Sequence, residues 1–128
     1  MTKQTVTFEI TSWDQAVAES DPGILRATVK KKFSGALDGT STAEVLMYRA
    51  SETSGAYIAI ERVTGTLDGK RGTFVIQHGG IAGADGAPVA FGKIVPGSGT
   101  EELAGIHGDA QYAHDEQGAR VTLDYELG

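Results

Sequence analysis

The sequence predicts an all-β chain, a small closed antiparallel barrel of seven or eight strands with minimal helix. Three observations carry this. Apolar and polar residues alternate from end to end. Gly-containing turn signals recur at short, regular spacing: Asp38-Gly39, Ser54-Gly55, Asp68-Gly69, Asp85-Gly86 and Gln117-Gly118. Many of the 18 glycines fall inside the alternating runs, where sharp bends and bulges use them. Regular short strands with such punctuation mark a sandwich or barrel. Several strands are apolar on both faces, so closure is expected.

The elements follow in order. Val6, Phe8 and Ile10 mark the first strand, and ILRATVKKKFSG and TSTAEVLMYRA the next two. GAYIAIERVTGTL and KRGTFVIQHGG form a long hairpin around Asp68-Gly69. APVAFGKIV, GDAQYAH and ARVTLDYEL complete the set. Asp14 to Ser20 has the composition for one or two helical turns before Pro22. Thr100 to Gly105 reads as a single turn, with Thr100 as N-cap, Glu101 and Glu102 in the first turn and Gly105 as stop. With 128 residues and no linker or repeat, residues 1–128 form one domain.

Bulk composition excludes several function classes. A net charge of −6 gives no electrostatic footprint for nucleic acid or anionic lipid. The lysine run at 30–32 sits in an alternating strand, not in a basic patch. There are no cysteines, hence no disulfide, thiolate catalysis or Cys-ligated metal. No apolar run approaches the roughly 20 residues that span a bilayer, and the N-terminus has no signal-peptide pattern. A cytoplasmic protein is expected. Gly97-Ser98-Gly99 lacks the glycine pattern of a dinucleotide site, and Glu101 and Glu102 beside it repel phosphate. His78-Gly79-Gly80 has the form of an esterase oxyanion loop, but no G-x-S-x-G elbow accompanies it. His78, His107 and His114 show no ligand spacing, so no metal and no cofactor are expected.

What remains is a polar band. In an Asp68-Gly69 type I′ turn, Ala59 faces His78 and Glu61 faces Ile76. Glu61 and His78 then share a face, diagonally adjacent at roughly 7 Å between Cα atoms. With Asp38-Gly39 as a second two-residue turn, Phe33 faces Glu44, Lys31 faces Leu46 and Val29 faces Tyr48. A loop over Ser51 to Ser54 then sets Tyr48 opposite Tyr57 and Glu44 opposite Glu61. Ala27, Val29 and Phe33 share Lys31's face, so the band points inward. Facing carboxylates in a partly dry barrel raise the pKa of one, unless Lys31 or His78 holds both ionised. The expected catalytic group is therefore Glu61, His78, Glu44 and Lys31. Tyr48, Tyr57, Phe33, Phe74 and Ile76 are expected to bind substrate. Ile58, Ile60 and Val75 crowd the opposite face, which predicts a homo-oligomer.

Two longer motifs resemble a known family. AIERVTGTLDGKRGTFVIQHGG (Ala59 to Gly80) and VPGSGTEELAGIHG (Val95 to Gly108), with TFEITSWDQ and TLDYEL at the two ends, are similar to DUF3224, an uncharacterised bacterial family. The resemblance covers nearly the whole chain and implies an allene-oxide-cyclase-like barrel. The wider superfamily guides cyclisation or coupling of apolar substrates inside the barrel and commonly forms oligomers. No site residues follow from the resemblance. Together with the polar band, it implies an acid/base enzyme (isomerase, cyclase or lyase type) acting on a small, largely apolar molecule. A non-catalytic binding barrel and a structural barrel filled by side chains are the alternatives.

Overall fold

In a computed structural model the chain closes into an eight-stranded antiparallel barrel, each strand bonded to its sequence neighbours and the last to the first. The structure describes residues 1–83 and 88–128, so the Asp85-Gly86 turn signal lies outside the described residues. The strands are β1 (Thr2–Val17), β2 (Ile24–Ser34), β3 (Leu37–Arg49), β4 (Gly55–Leu67), β5 (Lys70–Ala82), β6 (Val89–Ile94), β7 (Ile106–Asp115) and β8 (Gly118–Leu127). A short 3₁₀ turn covers Glu101–Leu103. Thr100 does not cap it through its side chain. Its Oγ1 instead accepts from the Thr73 backbone N–H at 3.0 Å. The helical turns expected from Asp14 to Ser20 are absent: β1 runs on to Val17, because pairing with β2 satisfies its backbone as far as Leu25.

The Asp68-Gly69 turn sets β4 against β5 as expected, with both residues at positive φ, 49° and 83°. The β2–β3 register differs from expectation. The chain turns at Gly35-Ala36, and Asp38-Gly39 lies inside β3. Phe33 therefore faces Gly39, Lys31 faces Ser41 and Val29 faces Ala43. The next loop is longer than expected, so Arg49 pairs with Gly55 and Ala43 faces Glu61. Gly39, Gly65 and Gly72 stand in one row across β3, β4 and β5. A Cβ on Gly65 would lie 2.4 Å from the Asp38 carbonyl oxygen, so this row is where the backbones approach and the wall bends.

The interior is filled at one end and open at the other. Phe33, Leu37, Leu67, Phe74, Ile76, Ile94, Leu103 and Ile106 are among the fully buried residues of the larger apolar cluster. The smaller cluster is built of short side chains, Ala27, Val29, Ala43, Val45 and Ala59. Beyond them the inward positions of β5 and β6 are Gly80, Ala82 and Ala90. Small residues leave space. A cavity of about 1130 Å³ opens there. Its rim is uneven, since β1 pairs with β8 only as far as Thr7. Beyond that point Trp13 faces inward opposite the buried Val29, yet stays half-exposed.

Candidate functional site

The alternation of β2 turns Lys31 inward, and that of β3, β4 and β5 does the same for Ser41, Glu61 and His78. All four are buried, Glu61 completely (0 % exposed). They lie at the level where the two apolar clusters meet. A buried carboxylate is costly unless donors surround it. Here four do. Glu61 Oε1 accepts from Lys31 Nζ at 3.1 Å, His78 Nε2 at 2.8 Å and the Tyr112 hydroxyl at 2.9 Å. Oε2 accepts from the Ser41 hydroxyl at 2.5 Å. Among the described residues no buried side-chain polar atom lacks a partner.

Burial alone would push the Glu61 carboxyl up. The His78 hydrogen bond, the Lys31 charge and the Ser41 hydrogen bond outweigh it and bring it down to about 2. Glu61 is therefore ionised, and among the described residues it is the one carboxylate in the band. Lys31 is held by more than Glu61: its Nζ lies 4.7 Å from the Phe8 ring centroid and 4.8 Å from that of Tyr112.

Because ionised Glu61 only accepts, His78 Nε2 carries a proton. In the neutral ring Nδ1 is then an acceptor, and the Tyr57 hydroxyl donates to it at 3.0 Å. The imidazole stacks on Tyr112 with centroids 4.1 Å apart, which fixes its plane. Burial raises the Tyr57 phenol above its ordinary value, and the Glu61 charge adds to this. The same two causes raise Tyr112 further. Both phenols stay protonated.

Tyr57 and Tyr112 line the cavity with Leu25, Met47, Ala90 and Trp13. Glu61, His78 and Lys31 lie behind them, outside its lining. The geometry thus runs in sequence from cavity to Tyr57, His78 and Glu61.

The structure brings together Glu61, His78, Lys31 and Tyr57, and separates the other expected residues. Glu44 faces outward, where it accepts from the Thr28 hydroxyl at 3.1 Å and pairs with Arg26 at 3.7 Å. The β2–β3 turn lies earlier than the sequence suggests and the register changes by an odd number, which reverses the face. The expected pair of facing carboxylates is corrected accordingly. Tyr48 also alternates outward and is half-exposed, touching the cavity only at its rim. Phe33, Phe74 and Ile76 are inward but fully buried in the filled end, where they pack the core and do not reach the cavity. Sequence reasoning missed Ser41, Tyr112 and Phe8. Phe8 and Tyr112 stand at inward positions of alternating strands, a signal that was available; Ser41 was hidden by the wrong turn.

Comparison with known proteins agrees with this fold. The family model described as "Protein of unknown function (DUF3224)" matches residues 4–127. A crystal structure from Shewanella oneidensis MR-1, titled as a DUF3224 protein with unknown function, superposes with a TM-score of 0.87 at 32% identity. The match covers 100% of this chain and 98% of that one. No curated protein matches. These comparisons carry the family and the barrel, and do not reach the allene oxide cyclases. The chain is a member of the DUF3224 family.

Proposed function

We propose that this protein binds a small, largely apolar organic molecule in the open end of its barrel and acts on it by acid/base chemistry, as a cofactor-independent isomerase, cyclase or lyase. One observation supports the reading most. A cavity of about 1130 Å³ ends on a tyrosine whose hydroxyl is tied, through a buried histidine, to an ionised glutamate. Cavities with apolar walls and a few convergent polar groups are the usual setting of small-molecule sites. Tyr57 is the group that touches the ligand. As a ligand hydroxyl gives its proton to the Tyr57 oxygen, the Tyr57 proton passes to His78 Nδ1, and the reverse transfer returns both. Glu61 fixes the tautomer of His78 and stabilises the imidazolium when the ring charges, as a carboxylate does for a catalytic histidine. Lys31 and Ser41 are positioning residues that keep Glu61 ionised.

A second reading rests on a different observation. Every donor around Glu61 already has its partner within the protein, so the cluster is complete without a ligand. In that case it orients a bound molecule and turns nothing over. A screen of small apolar carbonyl compounds by thermal shift, followed by NMR of the hits, separates the two. The enzyme reading expects turnover that falls by about 10²-fold or more in His78→Ala. Binding without turnover favours the second reading, and no binding at all overturns both.

The outer wall supports a further partner, another copy of the chain. Leu46, Ile58 and Phe91 lie in one row across β3, β4 and β6, with Gly79 between the last two. Ile60, Ile81 and Val89 flank the row, and all six side chains are exposed. An apolar patch on an otherwise polar wall is a common mark of an interface. We infer that two copies meet there.

A further inference from the structure

We propose that Tyr57, His78 and Glu61 form a proton-coupled site for an anionic ligand oxygen, a carboxylate or enolate, so that each ligand bound brings one proton onto His78. The inference rests on the small-molecule reading above and adds the charge class of the ligand.

Hydrogen-bond direction sets the charge of the ligand. Glu61 accepts at His78 Nε2, so the neutral ring offers only a lone pair at Nδ1, and the Tyr57 hydroxyl hydrogen points to it at 3.0 Å. In that state the oxygen of Tyr57, a residue that lines the cavity, has only lone pairs left to offer a ligand. It suits a ligand that donates and repels one that carries negative charge. An anionic oxygen needs the hydroxyl hydrogen turned toward it. That rotation strips Nδ1 of its donor, unless Nδ1 takes a proton and donates back to the Tyr57 oxygen. The atoms then balance: the solvent proton ends on His78 Nδ1, the Tyr57 proton stays on its oxygen, and no covalent bond to the ligand changes.

Charge gives the same answer. The groups facing His78 are Glu61 and Tyr57 from β4, Lys31 from β2 and Tyr112 from β7, while its β6 neighbour, Gly92, brings no charge. Lys31 and Glu61 cancel. An anion added at the cavity floor is uncompensated with His78 neutral and balanced with His78 protonated. A neutral alcohol gains nothing from the proton.

The test is calorimetric titration with benzoate and with benzyl alcohol, two probes of similar size that suit the aromatic walls given by Trp13, Tyr57 and Tyr112. Buffers of different ionisation enthalpy report the protons taken up. Benzoate is expected to take up close to one proton and to bind up to about tenfold tighter for each unit the pH falls. Benzyl alcohol is expected to take up none. Tyr57→Phe keeps the four contacts of Glu61 while removing the donor to His78 Nδ1, and should abolish the uptake, as should His78→Gln if it folds. Benzoate bound without proton uptake, or uptake unchanged in Tyr57→Phe, overturns the coupling while leaving the binding reading in place. Neither probe binding at millimolar concentration overturns the binding reading and the coupling with it.

Discussion

At the scale of single residues, Glu61 and Glu44 make a matched contrast. Both are glutamates on neighbouring strands, one fully buried under four donors, the other exposed beside Arg26. Removing one partner of a buried ion pair costs about 3–5 kcal/mol, whereas a surface change of this kind stays within about 0.5 kcal/mol. Glu61→Gln should therefore lower stability in urea by several kcal/mol, and Glu44→Gln should leave the midpoint almost unmoved. The same residue sets an acid dependence. Its carboxyl is held at about 2 in the fold against an ordinary value of 4.5. A depressed carboxylate stabilises the fold fully above the unfolded value and loses that contribution as pH falls toward the folded one. The gap corresponds to on the order of 3 kcal/mol, lost between about pH 4.5 and pH 2. Equilibrium unfolding measured across that window should show the loss in the native chain and a much flatter profile in Glu61→Gln. Equal slopes in the two proteins would mean that Glu61 is not the group responsible.

Among the elements, the β4–β5 hairpin was legible in the sequence and the β2–β3 hairpin was not. Asp68-Gly69 announces a turn, and nothing else in that stretch competes with it. Between β2 and β3 there are two glycines with different work. Gly35 turns the chain at a φ of 122°, and Gly39 sits in the row where β3 and β4 approach. Both uses select glycine, and the Asp before Gly39 imitates a turn signal. Choosing the wrong one reversed the face of every β3 side chain. This hid Ser41 and placed Glu44 and Tyr48 inside. The inward placement of Glu61, His78 and Lys31 survived because the register of β3 is odd-shifted from expectation against both β2 and β4, so the two reversals cancel between β2 and β4. The close approach yields a prediction. Gly65→Ala places a Cβ 2.7 Å from the Gly39 Cα and 2.4 Å from a carbonyl oxygen, so the wall must shift. It should cost about 1–3 kcal/mol by overpacking, read as a lower denaturation midpoint. Ala at Gly69, where nothing lies within 4 Å, meets only the strain of its positive φ.

For the molecule as a whole, the barrel is asymmetric along its axis. Large side chains fill one end, small ones leave the other open, and a charged layer lies between them. That division follows from the sizes of inward residues, and the alternating pattern, blind to size, did not reveal it. Nor did the pattern reveal which side chains meet across the barrel, as Tyr112 meets Glu61, since strands far apart in sequence set that contact. On the outer wall, Ile58→Glu should convert a dimer to a monomer by light scattering without loss of fold; a monomer in the native chain would remove the interface. Among the described residues no helix is long and apolar enough to cross a membrane. In the proposed coupling the cavity communicates with Glu61 through Tyr57 and His78. Nitrogen-15 NMR of histidine-labelled protein, titrated with benzoate, tests it most directly. Neutral His78 is expected to carry its proton on Nε2, and benzoate to protonate Nδ1 in the native chain but not in Tyr57→Phe. A proton on Nδ1 of the neutral ring, or nitrogen signals indifferent to a bound acid, would contradict it.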